Sequence, residues 1–404
     1  MVFDVAVLGG GASGLVCAVE CARRGLSTAV IDKNQIMGKK ILVTGNGRCN
    51  LTNAAISPEN YHGLDALKIF DIVEKYSAED VTDFFKTIGL YTRARDGLIY
   101  PVGNKAASVT EALRNALVKY NVVQICDFDI KTLEKTGENF SVIPQSGKIV
   151  QAKNIVIATG LKAYDGSSIG LELLKKFGHD YNKIYPALVQ LKTDSAFIKG
   201  LKGVKFNGQI SAVSKGNVIA QENGEILFTE YGLSGIAVMQ LSRLYSTCDE
   251  LSISMDFMPD SQEDEVVEIL HDLQRYFADT RISAEELLGG LVDKKLGHRI
   301  LKFSGIDNLS VEINKLEDKQ LKRIAQSLKN TSVKITGHNG FKNAQVCGGG
   351  ACLSEFNTDS LESVHEKGLY AIGEVLDCIG DCGGYNLHWA WITGIHAAKA
   401  IANS

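Results

Sequence analysis

The chain has 404 residues, of which 45% are hydrophobic, and a net charge of −4 with both signs interspersed. This composition predicts a globular protein of two or three domains and carries no signature of polyanion binding. The nine cysteines are too few for a disulfide scaffold. No apolar run is long enough to span a membrane, and no secretory signal precedes the first strand. We therefore expect a cytoplasmic enzyme with no membrane segment.

The strongest signal is a glycine motif that follows the first apolar strand. Residues 5–8 lead into Gly9-x-Gly11-x-x-Gly14, a helix follows, and a second strand ends at Asp32. Gly9 permits a tight turn, Gly11 lets a pyrophosphate approach the backbone, and Gly14 lets helix and strand pack closely. The helix N-terminus faces the phosphates, and Asp32 lies where it can accept hydrogen bonds from an adenosine ribose. The residues expected to bind a dinucleotide here are Gly9, Gly11, Ala12, Ser13, Gly14, Asp32 and Lys33.

Two later segments favour FAD over NAD. Residues 368–400 read as a buried strand, an acidic turn containing Glu374, a glycine pair ending at Gly384, and a helix. The carboxylate suits the sugar hydroxyls of a long cofactor, and the helix N-terminus suits an electron-rich ring edge. The alternative is a glycine-rich turn before an ordinary core helix. Residues 153–160 form an apolar strand that ends in Ala-Thr-Gly, where the chain passes close to the cofactor.

These three segments, in this order, resemble the two-dinucleotide-binding-domain flavoprotein superfamily. Longer motifs at residues 38–53, 224–235 and 373–386 are similar to one bacterial family of NAD(P)/FAD-dependent oxidoreductases. That family includes 3-dehydro-bile acid Δ4,6-reductases and aminoacetone oxidases, and the similarity runs over essentially the whole chain. The sequence departs from the family pattern at three positions, which are Gln190, Cys347 and His388. These departures leave the expectation of FAD intact and leave the substrate open.

The resemblance implies a cofactor site built from both ends of the chain. It implies that the backbone near Ile130 meets the adenine, and that Glu374 replaces an aspartate that holds the ribitol. Arg48 is the candidate catalytic residue, because a guanidinium can stabilise a reduced flavin ring or grip an anionic substrate. The alternative for Arg48 is a structural salt bridge. The other expected FAD contacts are Lys40, Gly47, Arg48, Cys49, Asn50, Thr159, Gly160, Gly373, Asp377, Gly384, Tyr385, Asn386 and Leu387.

Some of these side chains allow two interpretations. Asn386 is expected to contact the cofactor, whereas packing is an equal alternative for Tyr385. His388 is expected to be a buried core histidine, with a proton donor as the alternative. The spacing of Cys378 and Cys382 is not that of a redox CxxC motif, and Cys347 and Cys352 have no nearby histidine at metal-ligand spacing. We therefore predict neither a catalytic disulfide nor a metal site.

The fold class is α/β, a Rossmann-like FAD-binding domain with an inserted β-rich domain that carries a small helical domain. The pattern changes to short alternating strands near residue 186 and to helical spacing near residue 258. By fold-level analogy, the insertion covers the substrate side of the flavin. The predicted domains are the discontinuous FAD domain at 1–185 and 337–404, the β-rich domain at 186–257 and 317–336, and the helical domain at 258–316.

The leading functional hypothesis is an FAD-dependent oxidoreductase that acts on a small or medium organic substrate. The favoured reaction is NAD(P)H-dependent reduction of a C=C bond in a 3-oxo steroid or bile-acid-like enone. Because residues 186–336 contain no second glycine fingerprint, NAD(P)H would visit the flavin transiently as electron donor. One alternative is an aminoacetone-type flavin amine oxidase that uses dioxygen, and another is an FAD-dependent RNA-modification protein. We expect a small-molecule substrate, no nucleic acid and no membrane partner, and the oligomeric state is open.

Overall fold

The computed structural model describes residues 2–161 and 168–404. The chain forms two compact units, one made of Met1–Tyr185 with Val346–Ser404 and the other of Pro186–Gln345. The second unit therefore ends beyond the return predicted at residue 337. The strand Thr331–His338, which spans the predicted return, belongs to the sheet of the inserted unit.

Helices and strands are numbered in chain order. The strands are β1 Val2–Leu8, β2 Thr28–Ile31, β3 Thr52–Asn53, β4 Tyr61–His62, β5 Thr92–Arg95, β6 Leu98–Pro101, β7 Val123–Ile125, β8 Ile130–Thr136, β9 Asn139–Pro144, β10 Val150–Ile157, β11 Tyr181–Ala187, β12 Leu191–Thr193, β13 Lys205–Ser214, β14 Asn217–Phe228, β15 Gly232–Ser234, β16 Ser252–Asp256, β17 Thr331–His338, β18 Val346–Ala351, β19 Leu369–Ala371 and β20 Ile379–Gly380. The α-helices are α1 Ala12–Arg23, α2 Ala66–Val73, α3 Ala78–Thr87, α4 Ala106–Lys119, α5 Ile169–Lys176, α6 Ser195–Ile198, α7 Ile236–Leu241, α8 Leu244–Thr247, α9 Glu263–Tyr276, α10 Lys294–Phe303, α11 Asp318–Lys329 and α12 Tyr385–Asn403.

The first unit is built on a seven-stranded sheet in the order β7-β2-β1-β10-β9-β8, with β19 also paired to β10. Strands β7, β2, β1, β10 and β19 run parallel, whereas β9 pairs antiparallel with both β10 and β8. Residues 5–8 of β1 are fully buried, as expected for a strand covered on both faces. The carboxyl ends of β1, β2, β10 and β19 therefore lie along one edge of the sheet, which is where ligands bind in such folds.

The inserted unit is built on a closed barrel in the order β12-β15-β14-β13-β16-β17. All of its strand pairs are antiparallel. Helices α9, α10 and α11 contribute to the same continuous hydrophobic core as the barrel, through residues such as Leu270, Ile300 and Leu321. The inserted region is therefore one unit in the structure, where the sequence suggested a β-rich domain and a separate helical one.

Candidate functional site

The turn between β1 and α1 is shaped by backbone contacts that exclude side chains at two of its three motif glycines. Gly9 has a φ of +115°, and a Cβ added there would collide with the Ala158 carbonyl group. A Cβ added at Gly14 would collide with the Gly9 carbonyl oxygen. A Cβ added at Gly11 would meet no atom within 4 Å. The space in front of Gly11 is thus open and fits the pyrophosphate that the spacing predicts.

Helix α1 begins directly after this turn, at Ala12. No side chain among the described residues caps the helix, and its first turn holds no acidic residue. Its first N–H groups, including that of Ser13, can therefore serve an anion, which the helix dipole also favours. Gly373 has a φ of +72°, and a Cβ there would collide with the Ser13 side chain. The C-terminal motif is therefore packed directly against the start of α1.

Asp32, at the end of β2, fixes the glycine turn. Its Oδ2 accepts a hydrogen bond from the Gly10 backbone N–H at 2.7 Å. Its Oδ1 accepts from the backbone N–H and the side-chain amide of Asn34, at 2.7 and 2.8 Å. The carboxylate is only half-buried, so it remains open to a ribose as well, and the adjacent Lys33 is exposed.

The segment before Ile130 runs past the same end of β2. The Phe128 N–H donates to the Asp32 carbonyl oxygen at 3.1 Å, two residues before β8 starts at Ile130. The Ile130 side chain is 8% exposed and its partner across the β8–β9 ladder is Pro144. The chain is thus near the strand end where the adenine is expected, and contact of Ile130 with the adenine stays a prediction.

Glu374 lies close to Lys40 and Gly160, which belong to two other segments predicted to bind the cofactor. Its Oε2 lies 2.6 Å from the Lys40 Nζ, and its Oε1 accepts from the Cys347 N–H at 3.2 Å. A Cβ placed on Gly160, whose φ is +61°, would lie 3.4 Å from the same Oε2. Desolvation alone would lower the pKa of Lys40, but the Glu374 carboxylate raises it above its ordinary value. Thr159, just before Gly160, donates to the Gly160 carbonyl oxygen at 3.2 Å.

The loop that carries Arg48 has an unusual backbone. Gly45, Asn46 and Gly47 follow one another with φ of +54°, +54° and +80°, and Cys49 has a φ of +57°. Non-glycine residues rarely adopt this conformation outside constrained sites. Cys49 is fully buried, and burial raises the pKa of its thiol to about 11, so it is not a thiolate nucleophile at neutral pH. Arg48 is exposed, and no salt bridge joins it to a carboxylate within residues 2–161 and 168–404.

The start of α12 is tightly packed. Gly384 has a φ of +104°, and a Cβ there would lie 2.8 Å from the Thr52 carbonyl carbon. The Asn386 amide donates to the Gly380 carbonyl oxygen at 2.7 Å and its Oδ1 accepts from the Gly380 N–H at 2.9 Å. The amide of Asn386 thus clamps the preceding turn, so its side chain is committed to the protein. Leu387 follows it, half-buried in the first turn of the helix.

Two other predicted cofactor residues are also held by protein partners. Asp377 is 4% exposed and accepts from the Asn182 amide at 2.7 Å and the Gly349 N–H at 3.1 Å. Burial raises the pKa of Asp377, although these donors oppose the rise. Tyr385 packs edge-on against Tyr61, with ring centroids 6.0 Å apart. The structure therefore favours a positioning role for Asp377 and a packing role for Tyr385.

Asn50 is likewise buried, and its Oδ1 accepts a backbone hydrogen bond at 3.2 Å from residue 99.

His388 is a core histidine. Its side chain is fully buried, its Nδ1 lies 2.7 Å from the Thr52 Oγ1, and its Nε2 has no hydrogen-bond partner among the described residues. Burial lowers the pKa of His388 to about 4. A neutral, enclosed imidazole cannot reach a substrate, so the proton-donor alternative has no support from its position.

Sequence reasoning missed two groups near these segments. The His62 Nε2 lies 2.8 Å from the Asp381 Oδ1, in the turn just before α12, and both side chains are partly exposed. Arg93 and Arg95 line a cavity of about 210 Å³ together with Arg48. His62 is far from Asp381 in the chain, and Arg48 is far from Arg93 and Arg95, so no motif spacing links either group. Only the dipeptide Asp96-Gly97, a hairpin signal, was available from the sequence.

The structure brings together one group of possible metal ligands, His179, Glu355 and His365, within the described residues. The Ser363 Oγ accepts backbone hydrogen bonds from His365 and Glu366, so its hydroxyl donates to the His179 Nε2 at 2.7 Å. The His179 Nδ1 then carries the proton directed at Glu355, 3.0 Å away. Hydrogen bonding thus accounts for this cluster without a metal ion.

None of the nine cysteines is in a disulfide. The Cys378 thiol is fully enclosed, and burial raises its pKa well above the ordinary value. Among the described helices, none has the length and apolar character needed to cross a membrane.

Comparison with known proteins supports the resemblance. The family model described as the HI0933-like protein Rossmann domain matches residues 3–400. The chain is 36% identical over 413 residues to a 3-dehydro-bile acid delta(4,6)-reductase of Clostridium scindens, with 98% of each chain covered. It is 27% identical over 408 residues to a ribosomal RNA dihydrouridine synthase of Escherichia coli, covering 99% of this chain and 98% of the relative.

Two solved structures share the fold over almost their full length. One is a 3-ketosteroid-delta4-(5alpha)-dehydrogenase of Rhodococcus jostii RHA1, with a TM-score of 0.51, 16% identity, and 100% and 97% of the two chains covered. The other is a 3-ketosteroid delta1-dehydrogenase of Sterolibacterium denitrificans, with a TM-score of 0.53, 12% identity, and 100% and 99% covered. The predicted α/β class with a Rossmann-like cofactor domain is confirmed by the family match and this likeness of fold.

Proposed function

This chain belongs to the HI0933-like Rossmann-domain family, and from that premise we propose that it is an FAD-dependent reductase of a C=C bond conjugated with a carbonyl group. That it is an FAD-dependent oxidoreductase follows from the family, the glycine turn with its open space at Gly11, and the packed Glu374 segment. The observation that carries the finer proposal is the full-length, 36% identity to a delta(4,6)-reductase.

Different residues of the chain would bind different parts of FAD. The first turn of α1 and Gly11 would bind the pyrophosphate, Asp32 the ribose, and Glu374 the ribitol. The positive end of the α12 dipole would face the electron-rich edge of the ring. When bound, FAD supplies the hydride chemistry of the reaction. Arg48, which is exposed and lacks a carboxylate partner in the described part of the chain, would grip an anionic group of a reactant.

The names of the relatives describe the same kind of step. Saturation of a 3-oxo ring system at positions 4 or 6, and conversion of uridine into dihydrouridine, both reduce a C=C bond that is conjugated with a carbonyl. In each case one hydride adds to the alkene carbon farther from the carbonyl, which is the β-carbon of a 4-ene or of uridine and the δ-carbon of a 6-ene. One proton adds to the other alkene carbon, and NAD(P)H as donor would leave as NAD(P)⁺. The 36% identity favours a steroid-like enone over the RNA substrate suggested at 27%.

RNA modification is the second candidate function, because two dihydrouridine synthases match the chain over nearly its whole length. Against it stand the net charge of −4 and the lack of basic residues interleaved with aromatics in the sequence. The absence of a nucleic-acid partner and the cytoplasmic location both stay predictions.

Anaerobic titration of the purified yellow protein tests the proposal. The loss of flavin absorbance would be followed with NADH, NADPH and aminoacetone in turn, and the reduced protein would then receive a 3-oxo-4,6-diene steroid. We expect NADH or NADPH to bleach the flavin, the steroid to restore it, and mass spectrometry to show a product heavier by two hydrogens. Bleaching by aminoacetone alone would instead indicate the amine oxidase. Restoration by a ribosomal RNA fragment but by no steroid would indicate the second candidate.

A further inference from the structure

We propose that Arg48 and the β5–β6 hairpin form an anion-binding site, which takes the acidic group of a small reactant. The three arginines border a cavity of about 210 Å³ within the first unit. The inference deepens the proposed function, on which it rests for the reaction but not for the binding of the anion. The cavity is lined by Arg48, Arg93, Arg95, Asp96, Leu98, Tyr100 and Asn104.

The hairpin presents two arginines on the same face. Arg93 pairs with Tyr100 and Arg95 with Leu98 across the antiparallel ladder. Because side chains alternate along a strand, all four project to one side. The turn residues Asp96 and Gly97 have φ of +51° and +78°, as in the two-residue turns that fit the twist of a hairpin. The backbone of the hairpin thus fixes the face from which both arginine side chains project.

The hairpin is also fixed to the loop that carries Arg48. The Leu51 N–H donates to the Ile99 carbonyl oxygen at 2.8 Å, and the Ile99 N–H donates to the Asn50 Oδ1 at 3.2 Å. Strand β3 then pairs with β6 through Thr52 and Ile99. Arg48 lies two residues before Asn50, so it is held beside the arginines of the hairpin.

The charges in this cavity are not balanced. Arg48 and Arg93 form no salt bridge with a carboxylate in the part of the chain that the structure describes. Arg95 lies 3.7 Å from Asp96, but these side chains are 76% and 89% exposed, so the pair contributes little. Three guanidinium groups thus face one weakly held carboxylate. Like charges gathered in this way repel, and an oxyanion would relieve the repulsion while accepting paired hydrogen bonds from the planar donors.

The size of the cavity limits what enters it. Pockets that enclose a drug-sized ligand measure roughly 300–1,000 Å³, whereas this one is about 210 Å³. It therefore suits an acidic end group, with the rest of the reactant extending outward. Two reactants of the proposed function carry such a group, namely a steroid acid, through its carboxylate, and NADPH, through its 2′-phosphate. The shared chemistry is an oxyanion on a small organic molecule.

Binding of inorganic phosphate to the FAD-loaded protein tests the site without reference to turnover. Phosphorus NMR line broadening at low ionic strength would compare wild type with the double variant R93Q/R95Q and with the control R281Q. Arg281 is an exposed arginine of the inserted unit, so its variant removes one positive charge and is the charge-matched control for the single variants R93Q and R95Q. We expect the double variant to weaken phosphate binding about tenfold or more, as the loss of charged hydrogen bonds implies, and the control to leave it unchanged. Equal binding by wild type and double variant would overturn the proposal.

The bound flavin fraction and the melting temperature would show whether the double variant folds, and the single variant R95Q would replace it if it does not.

Turnover then identifies the source of the anion. We expect the preference of wild type for a free steroid acid over its methyl ester to be lost in the variant. Loss of an NADPH-over-NADH preference would assign the anion to the dinucleotide instead. If both preferences survive in the variant, the proposal is wrong. It is also wrong if a ribosomal RNA fragment displaces phosphate at a far lower concentration than either reactant does. Arginine-dependent phosphate binding in a protein that reduces no enone would contradict only the proposed function.

Discussion

Gly11 is the N-cap of α1 and has an ordinary backbone conformation, with φ of −84°. A side chain at this position would therefore cause no strain and would project into open space. We expect Gly11→Val to purify without FAD, because the branched side chain would occupy the volume that the pyrophosphate needs. The measurement is the ratio of flavin to protein absorbance, with mass spectrometry of the flavin released by heat.

Gly290→Val is the matched control, because Gly290 also has open space around it but lies in the inserted unit. This variant should keep its full flavin content. Asp32→Ala should lose only part of it, since the change removes the expected hydrogen bonds to the sugar and the anchor of the Gly10 N–H but fills no volume. A fully yellow Gly11→Val protein would show that the pyrophosphate lies elsewhere.

His388 gives the protein a specific dependence on pH. Burial lowers the pKa of His388 from 6.5 to about 4, so between these values the unfolded chain binds a proton that the folded chain does not. The stability that the neutral imidazole contributes is therefore complete above pH 6.5, the pKa in the unfolded chain. It falls as the pH drops toward about 4, the pKa in the folded protein. We expect wild type to lose about 2 kcal/mol more than His388→Gln when the pH falls from about 7.5 to about 5.

Urea unfolding followed by tryptophan fluorescence measures this difference, because both tryptophans, Trp389 and Trp391, lie in α12 of the same unit. Glutamine can keep a hydrogen bond to Thr52, so the variant should still fold. Equal slopes for wild type and His388→Gln would rule out this origin of the pH dependence.

At the scale of elements, the start of α12 depends on a close approach to β3. Gly384 combines a φ of +104° with a Cβ position 2.8 Å from the Thr52 carbonyl carbon. Gly178 has a similar φ of +89°, but a Cβ there would meet nothing within 4 Å. Gly384→Ala and Gly178→Ala should both lose about 1 kcal/mol or more of stability from the unfavourable φ. Only Gly384→Ala should also lose FAD, because it displaces the helix from β3, and equal flavin content in the two variants would contradict this role of α12.

The glycine turn, Asp32 and the Glu374 segment were predictable because each depends on a local strand, turn and helix pattern. The direction of a polar side chain was not, since distant partners decide it. Asp377 turns toward Asn182 and Gly349, which no spacing in the sequence connects to it. The grouping of Arg48 with the β5–β6 arginines likewise depends on the pairing of β3 with β6.

At the scale of the whole molecule, the order of the elements predicted an insertion but could not predict its closure. Alternating strands such as β16 are visible in the sequence, whereas the pairing of β12 with β17 that closes the barrel joins residues nearly 150 positions apart. Through the same pairing, the chain as far as His338 belongs to the inserted unit. The helices α9 to α11 share the barrel core, which hydrophobic spacing alone cannot distinguish from a core of their own.

The inserted unit offers no second dinucleotide fold. Its strands pair only antiparallel, and no parallel strand–helix–strand unit occurs among its described residues. A Rossmann nicotinamide site requires parallel strands with a glycine turn between strand and helix. We therefore expect NAD(P)H to be held loosely, on the flavin near Arg48, and to leave before the substrate binds at the same place.

This expectation predicts ping-pong kinetics, in which NAD(P)H and the enone compete for one site. Double-reciprocal plots at several fixed enone concentrations should be parallel, and NAD(P)H should not raise the melting temperature at sub-millimolar concentration. Arg48→Ala should slow flavin reduction or substrate turnover far more than it lowers FAD content, while Arg281→Ala should change neither. Intersecting lines would reveal a ternary complex and contradict the shared site. A crystal structure with NAD(P) in a pocket of its own, away from the flavin, would contradict it equally.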